Sequence, residues 1–352
     1  GRPRDPIPSH IKEGHVMRRI LALILTIGLA LGLSLSGCAR VQQNTADGSE
    51  QVTLGMSYIP DVQFAPFYVA ESEGLFTAAG VNAQLRHHGS NEGLFTALLS
   101  GEEDYVLAGG DEVVQARSEG MDVVAIGQYY RSYPVTIIVP ESSDIHTAAD
   151  LAGRSIGVPG RFGESWFGLL AALAQAGLTQ DDVSIVEIGY TQQAALTTGR
   201  VEAIIGFSNN DQVQFATAGI PTRTVPLSAA GEVPLQSIVM ATTAARLSTH
   251  QDEAKRVVSG MTEGIRRTVA APASAIAAAK TYIPTLSDQG GEAAASATLN
   301  ATIPLWTYAD GTVSAEMDEA AWVTMCSFMF GQGIITSTVE ASDAMSNAAT
   351  TP

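Results

Sequence analysis

Ring-bearing and amide side chains gather at a few points along this chain. The chemistry they offer is non-covalent: stacking of flat surfaces, and hydrogen bonding in both senses. Tyr58-Ile-Pro-Asp-Val-Gln-Phe-Ala-Pro-Phe67 places Tyr58, Gln63, Phe64 and Phe67 around a turn forced by Pro60, where a strand ends and a helix opens. In open α/β sheets that carboxyl end is where ligands bind. A buried helix face would explain Phe64, Phe67 and Tyr68, but such a face needs no Tyr58 or Gln63 at the turn.

The second half of the chain has an equivalent junction in Gly157-Val-Pro-Gly-Arg-Phe162-Gly-Glu-Ser165-Trp166. Its glycines let backbone approach a ligand, and free N–H groups of a helix opening near Ser165 offer donors to an oxygen or an anion. A tight loop holding nothing fits that stretch equally well. Gly206-Phe-Ser-Asn209-Asn210-Asp211 follows another strand, and a helix N-cap accounts for one of its three polar side chains, not all. Tyr130 lies in Gln128-Tyr-Tyr-Arg-Ser-Tyr133, and Tyr190 lies between a strand and a helix. Asp111, in Gly109-Gly-Asp-Glu112, stands at one more strand end, where helix capping is the plain alternative.

Covalent and metal chemistry is expected to be absent. The chain contains no Gly-x-Ser-x-Gly elbow, Walker loop, His-Glu-x-x-His or Cys-x-x-Cys. His87 and His88 are adjacent on a strand edge, so they should point to opposite faces, with no third ligand in view. No metal, cofactor or catalytic residue is therefore expected.

Alternating elements must position these groups. Strands are expected at Val52–Met56, Asp104–Ala108, Val123–Gln128, Val135–Val139, Ser155–Val158, Val183–Ile188, Ala203–Gly206 and Ser237–Ala241. Helices are expected at Phe64–Glu73, Asn91–Ser100, Asp111–Glu119, Ser165–Ala176 and Thr191–Thr198, several closed by glycine. Strands and helices alternating at this length argue for mostly parallel α/β sheets. Two such runs in succession suggest two lobes, 51–134 with 238–352 and 135–237, the chain crossing back near 233–241.

The N-terminal region carries a separate signal. Met17, Arg18 and Arg19 precede an uncharged apolar run from Ile20 to about Leu35, then Ser36-Gly37-Cys38. A short basic region, an apolar stretch and small residues before a cut site make a secretory signal. The run is shorter than the roughly 20 apolar residues that cross a bilayer. With Ser-Gly before the cysteine, the segment resembles a bacterial lipoprotein signal, which implies that Cys38 is lipidated and becomes the mature N-terminus. Residues 1–16 read as upstream sequence and 38–50 as a flexible linker. Cys326, the second of two cysteines, sits in an apolar helical stretch and reads as a buried inert thiol. The formal net charge is −17, and five of the 19 basic residues fall within 1–37. So acidic a surface repels nucleic acid and anionic lipid.

The stretches 58–70, 73–76 (Glu-Gly-Leu-Phe), 108–113 (Ala-Gly-Gly-Asp-Glu-Val), 150–158 (Asp-Leu-Ala-Gly-Arg-Ser-Ile-Gly-Val) and 208–211 (Ser-Asn-Asn-Asp) resemble substrate-binding proteins of ABC importers. The branch most resembled binds thiamine pyrimidine precursors and riboflavin, and it is similar to the sulfonate and nitrate binders. Pyrimidine-type binders usually carry a Trp and a His in the first turn, where this chain has Tyr58 and Phe64. The cysteine-rich iron site of the related pyrimidine synthases is missing.

The resemblance implies a two-lobed periplasmic-binding-protein fold that shuts by hinge bending over a planar heteroaromatic vitamin, riboflavin-type before thiamine pyrimidine. Tyr58, Phe64, Phe67, Tyr130, Phe162, Trp166 and Tyr190 would then stack or enclose it, and Gln63, Asp111, Ser165, Asn209, Asn210 and Asp211 would bond its edge. Implied partners are an ABC permease and its ATPase, with a monomer tethered outside the cytoplasm through lipid. A sulfonate, nitrate or other small anion is the nearest alternative ligand. A pyrimidine-synthase-like enzyme is the rival from another class, and a sensing lipoprotein without a transporter is a third.

Overall fold

The computed structural model describes residues 49–89 and 91–351. The expected secretory signal, Cys38 and most of the 38–50 linker lie outside the described residues. Ten strands are present: β1 (Gln51–Met56), β2 (Asn82–His87), β3 (Tyr105–Gly109), β4 (Val124–Gln128), β5 (Val135–Pro140), β6 (Ser155–Val158), β7 (Ser184–Glu187), β8 (Ala203–Phe207), β9 (Thr222–Val225) and β10 (Ile238–Thr242). They form two five-stranded sheets, ordered β2-β1-β3-β10-β4 and β7-β6-β8-β5-β9. Helices flank both.

Each sheet combines four strands of one direction with one antiparallel intruder. β1 runs parallel to β2 and β3, and β6 to β7 and β8. β10 is antiparallel to β3 and β4, and β5 to β8 and β9. The sequence pattern gave no sign of these two reversals. A strand reached through a helical crossover within its own sheet must run parallel. β5 and β10 instead arrive from the other sheet, through 129–134 and 226–237, so that constraint does not apply.

The expected helix at 91–100 begins only at Thr96. β9 went unread because Thr-Arg-Thr-Val is a short, mostly polar edge.

Apolar spacing explains the longest helix, Gln251–Ala270. Ala254, Val257, Val258, Met261 and Ile265 recur every three or four residues and are buried on one face. That face packs on the helix Ala65–Ser72 so closely that a Cβ at Gly264 would collide with the Pro66 carbonyl. Trp306 and Trp322, both fully buried, anchor the C-terminal helices Gly291–Trp306 and Glu319–Gly331. Among the described residues no helix is long and apolar enough to cross a membrane.

Candidate functional site

The carboxyl end of β1 leads into a turn held by Asp61, whose Oδ1 accepts from the Gln63 backbone N–H at 3.0 Å. Burial raises the Asp61 carboxyl above its usual range, partly offset by that bond. Tyr58 stays 43% exposed at the rim. Phe64 is buried, its ring edge-on to His87 at 5.5 Å. Phe67 is fully buried against Phe76 and Tyr129, so its ring belongs to the core and presents no surface to a ligand.

β4 ends in a stacked pair, with Tyr129 and Tyr130 at 5.2 Å and 19°. The Tyr129 hydroxyl donates to the Gln63 carbonyl at 2.7 Å, which ties this pair to the first turn. The Tyr130 hydroxyl faces Gln63 Oε1 at 3.5 Å.

Asn209, just after β8, reaches this group from the other sheet. It is 0% exposed. Its Nδ2 donates to Thr302 Oγ1 at 3.1 Å and lies 3.4 Å from the Tyr130 hydroxyl. Asn209 Oδ1 is buried with no hydrogen-bond partner among the described residues. Thr302, in the helix Gly291–Trp306, was not foreseen.

Asn210 and Asp211 are engaged locally instead. Asn210 Oδ1 accepts from Gln214 Nε2, and Asp211 Oδ2 accepts from the Phe207 backbone N–H at 2.7 Å. Asp211 closes the strand-to-helix turn and Asn210 pairs with a side chain one helical turn on, and neither caps the helix through its side chain.

A second group lies where the helix Gly110–Ser118 of the first sheet meets the helix Gly163–Gln175 of the second. Asp111 is fully buried, with Oδ2 accepting from the Tyr133 hydroxyl at 2.5 Å and Oδ1 from the Glu112 N–H at 2.8 Å. Tyr133 also contacts the Glu164 carbonyl, and Glu164 Oε1 accepts from Ser237 Oγ at 2.8 Å. Glu112 Oε1 accepts from the Gly109 N–H. Burial first, then mutual repulsion, pushes Asp111 and Glu164 well above the carboxylate range. Burial alone moves Glu112 up to about 7.

Glu164 and Ser237 also went unforeseen, although Glu164 lies inside the glycine-rich stretch that drew attention. Its carboxylate alters the reading of that stretch. The helix opens at Gly163, and the side chain at its first turn is an acid that burial favours in its neutral form.

The remaining expected residues are spread out. Ser165 is buried in the first helical turn. Trp166 lies under the Arg161 guanidinium, 5.0 Å from its ring, and faces a separate cavity of ≈ 310 Å³ also lined by Gln115, Gln180 and Gln332. It is not brought to the Tyr130–Asn209 group. Phe162 and Tyr190 stand 59% and 72% exposed on the loops after β6 and β7. Those two loops are adjacent, joined by the Gly189 N–H to Pro159 carbonyl bond at 3.1 Å.

His87 and His88 do point to opposite sides, His87 to the Tyr68 hydroxyl and His88 to Glu103. Contrary to expectation, carboxylates stand beside His88. Glu92 and Glu103 complete a trio of metal-ligand type. The Arg86 guanidinium already fills it, at 2.6 Å from Glu92 and 2.7 Å from Glu103, which makes it an ion-pair network. Cys326 is buried, and its thiol is pushed up to about 11, away from nucleophilic form.

A protein with these features has recognisable relatives. The chain is 28% identical over 344 residues to the riboflavin-binding protein RibY of Chloroflexus aurantiacus, covering 92% of this chain and 96% of that one. It is 26% identical over 191 residues to the formylaminopyrimidine-binding protein of Halalkalibacterium halodurans, covering 53% and 55%. In structure it is similar to the alkanesulfonate-binding protein SsuA from Xanthomonas axonopodis pv. citri, with a TM-score of 0.63 at 18% identity, over 84% of this chain and 98% of that one. That likeness gives the fold, two α/β lobes. Residues 61–275 match the NMT1/THI5-like family, and the chain belongs to it.

Proposed function

We propose that this protein is the substrate-binding component of an ABC importer, which captures a flat, neutral heteroaromatic nutrient of riboflavin type by shutting two lobes over it. The observation that carries this reading is the meeting of Asn209 from one lobe with Tyr130 and Thr302 of the other, beside a stacked tyrosine pair. Aromatic walls add about 0.5–1.5 kcal/mol per ring pair beyond area burial, and the amide supplies an edge contact. Tyr58, Phe162 and Tyr190, exposed on loops at strand ends, provide further rings for closure to bring onto a ligand. The relation to RibY over nearly the whole chain supports a flavin in particular.

The groups that meet at Tyr130 and Asn209 are rings, amides and hydroxyls, which favours a neutral ring over a sulfonate, nitrate or other anion. The side chains at the lobe contact are engaged in structural bonds, which weighs against a synthase-like enzyme. Lipid on Cys38 would hold the protein outside the cytoplasm, next to a permease and its ATPase, as a monomer.

A thermal-shift screen with riboflavin, an aminopyrimidine and taurine tests the reading, because a ligand of the native form stabilises it by RT ln(1 + [L]/Kd). Riboflavin should raise the midpoint and taurine should not. Stabilisation by taurine alone would refute it.

A further inference from the structure

Asn209 carries an accounting problem whose solution specifies part of the ligand. The Thr302 hydroxyl has a single proton, and it goes to the Thr298 carbonyl at 2.7 Å. Toward Asn209, Thr302 Oγ1 can only accept. The atom of Asn209 that lies 3.1 Å from it must therefore be the amide nitrogen. The Tyr130 hydroxyl agrees, since its proton points to Gln63 Oε1 and its oxygen is left to accept from Asn209. Both amide hydrogens are thus committed to the opposite lobe. The carbonyl Oδ1 remains, fully buried and without a partner among the described residues.

An orphaned buried acceptor is unfavourable, and the open form relieves it by admitting water. We infer that Asn209 Oδ1 is a selectivity element that demands an N–H or O–H donor from the ligand, with Thr302 as the positioning residue that fixes the amide's orientation. The inference rests on the proposed function, with the Tyr130–Asn209 junction as the ligand site. A donor-bearing ligand satisfies Oδ1 and stabilises the closed form, whereas a ligand of the same shape lacking the donor leaves the acceptor stranded. Lobe closure is thereby linked to ligand chemistry, because only differential interaction with the two forms can shift their balance. The imide N–H on the pyrimidine ring of a flavin is such a donor. A sulfonate or nitrate offers none.

The test compares riboflavin with its N3-methyl derivative, by isothermal titration, on the full chain and two variants. Wild type should prefer riboflavin by about ten- to a hundredfold, the worth of one buried unsatisfied acceptor. Asn209→Ala removes the acceptor and makes room for the methyl, so its two affinities should agree to within about threefold. Thr302→Val removes the acceptor that orients the amide, along with the bond to the Thr298 carbonyl, so its preference should fall between those of wild type and Asn209→Ala. Thermal unfolding of each variant confirms that it is folded. Equal affinities in wild type would overturn the inference, and so would an unchanged preference in Asn209→Ala, while riboflavin binding left the proposed function standing. Failure of wild type to bind either flavin would refute the proposed function and this inference together.

Discussion

Raising the pH from 5.5 to 8.5 should destabilise the native protein, because three carboxyls, Asp111 and Glu164 buried and Glu112 half-buried, crowd where its lobes meet. Glu112, Asp111 and Glu164 all sit above their ordinary range, chiefly through burial. A carboxyl whose folded value exceeds its unfolded one favours folding while protonated, and that advantage disappears as pH rises through the folded value. Glu112 moves from 4.5 to about 7, a difference of about 300-fold in proton affinity and about 3 kcal/mol at most. Part of its side chain remains in water, so roughly half of that is expected. A loss of about 1.5 kcal/mol corresponds to a midpoint about 3–6 °C lower at pH 8.5. Asp111 and Glu164 add to it with the same sign.

The groups facing this cluster are Tyr133, which bonds Asp111, and Ser237, which bonds Glu164. His87, elsewhere in the first lobe, works the other way: burial lowers it, so its contribution is lost as pH falls. The double variant Glu112→Gln with Glu164→Gln keeps both accepting oxygens and isolates the acid term. Denaturant unfolding at fixed ionic strength should show wild type losing stability across this window and the variant losing clearly less, the remainder belonging to Asp111. Superimposable profiles would refute the reasoning. A Cβ at Gly163 in the second lobe would lie 4.0 Å from Glu112 Oε2, so the same protons belong to the closed form, and ligand affinity should also fall with rising pH.

Four stability predictions can be checked by chemical denaturation. Gly264→Ala drives a methyl into the Pro66 carbonyl and should cost about 1–3 kcal/mol. Gly74→Ala, at φ +66° with open space around it, should cost only about 1 kcal/mol from backbone strain. Glu103→Ala strands a buried His88 and unties Arg86, and should cost about 3 kcal/mol or more, with Glu103→Gln falling between it and wild type. Trp322→Ala empties a fully buried site in the C-terminal helix and should cost about 3–5 kcal/mol.

What the sequence disclosed and what it hid divide by the range of the interaction. Pro60, the aromatic turn after β1 and the glycines closing helices are local signals, and the elements they mark are found with small shifts in their ends. The direction of β5 and β10 is not a local property. It follows from a chain that leaves one lobe and returns, and no periodicity records it. The site divides the same way. Tyr58, Gln63, Tyr130 and Asn209 could be singled out because rings and amides at strand ends have few structural duties. Phe67 could not be sorted from them, since a core ring and a ligand-facing ring look alike until a neighbour such as Phe76 covers one.

Thr302 and Glu164 went unseen for a stronger reason. Thr302 lies 93 residues from the amide it holds, in an Ala- and Thr-rich helix that offered nothing to notice. Glu164 is one of 36 acidic residues, most of which only keep the surface charged. What sets these two side chains apart is their pairing with residues distant in sequence, Asn209 for Thr302 and Ser237 for Glu164. Rings and amides at a strand end can be read from one stretch of chain, but contacts between the two sheets exist only as pairs across them.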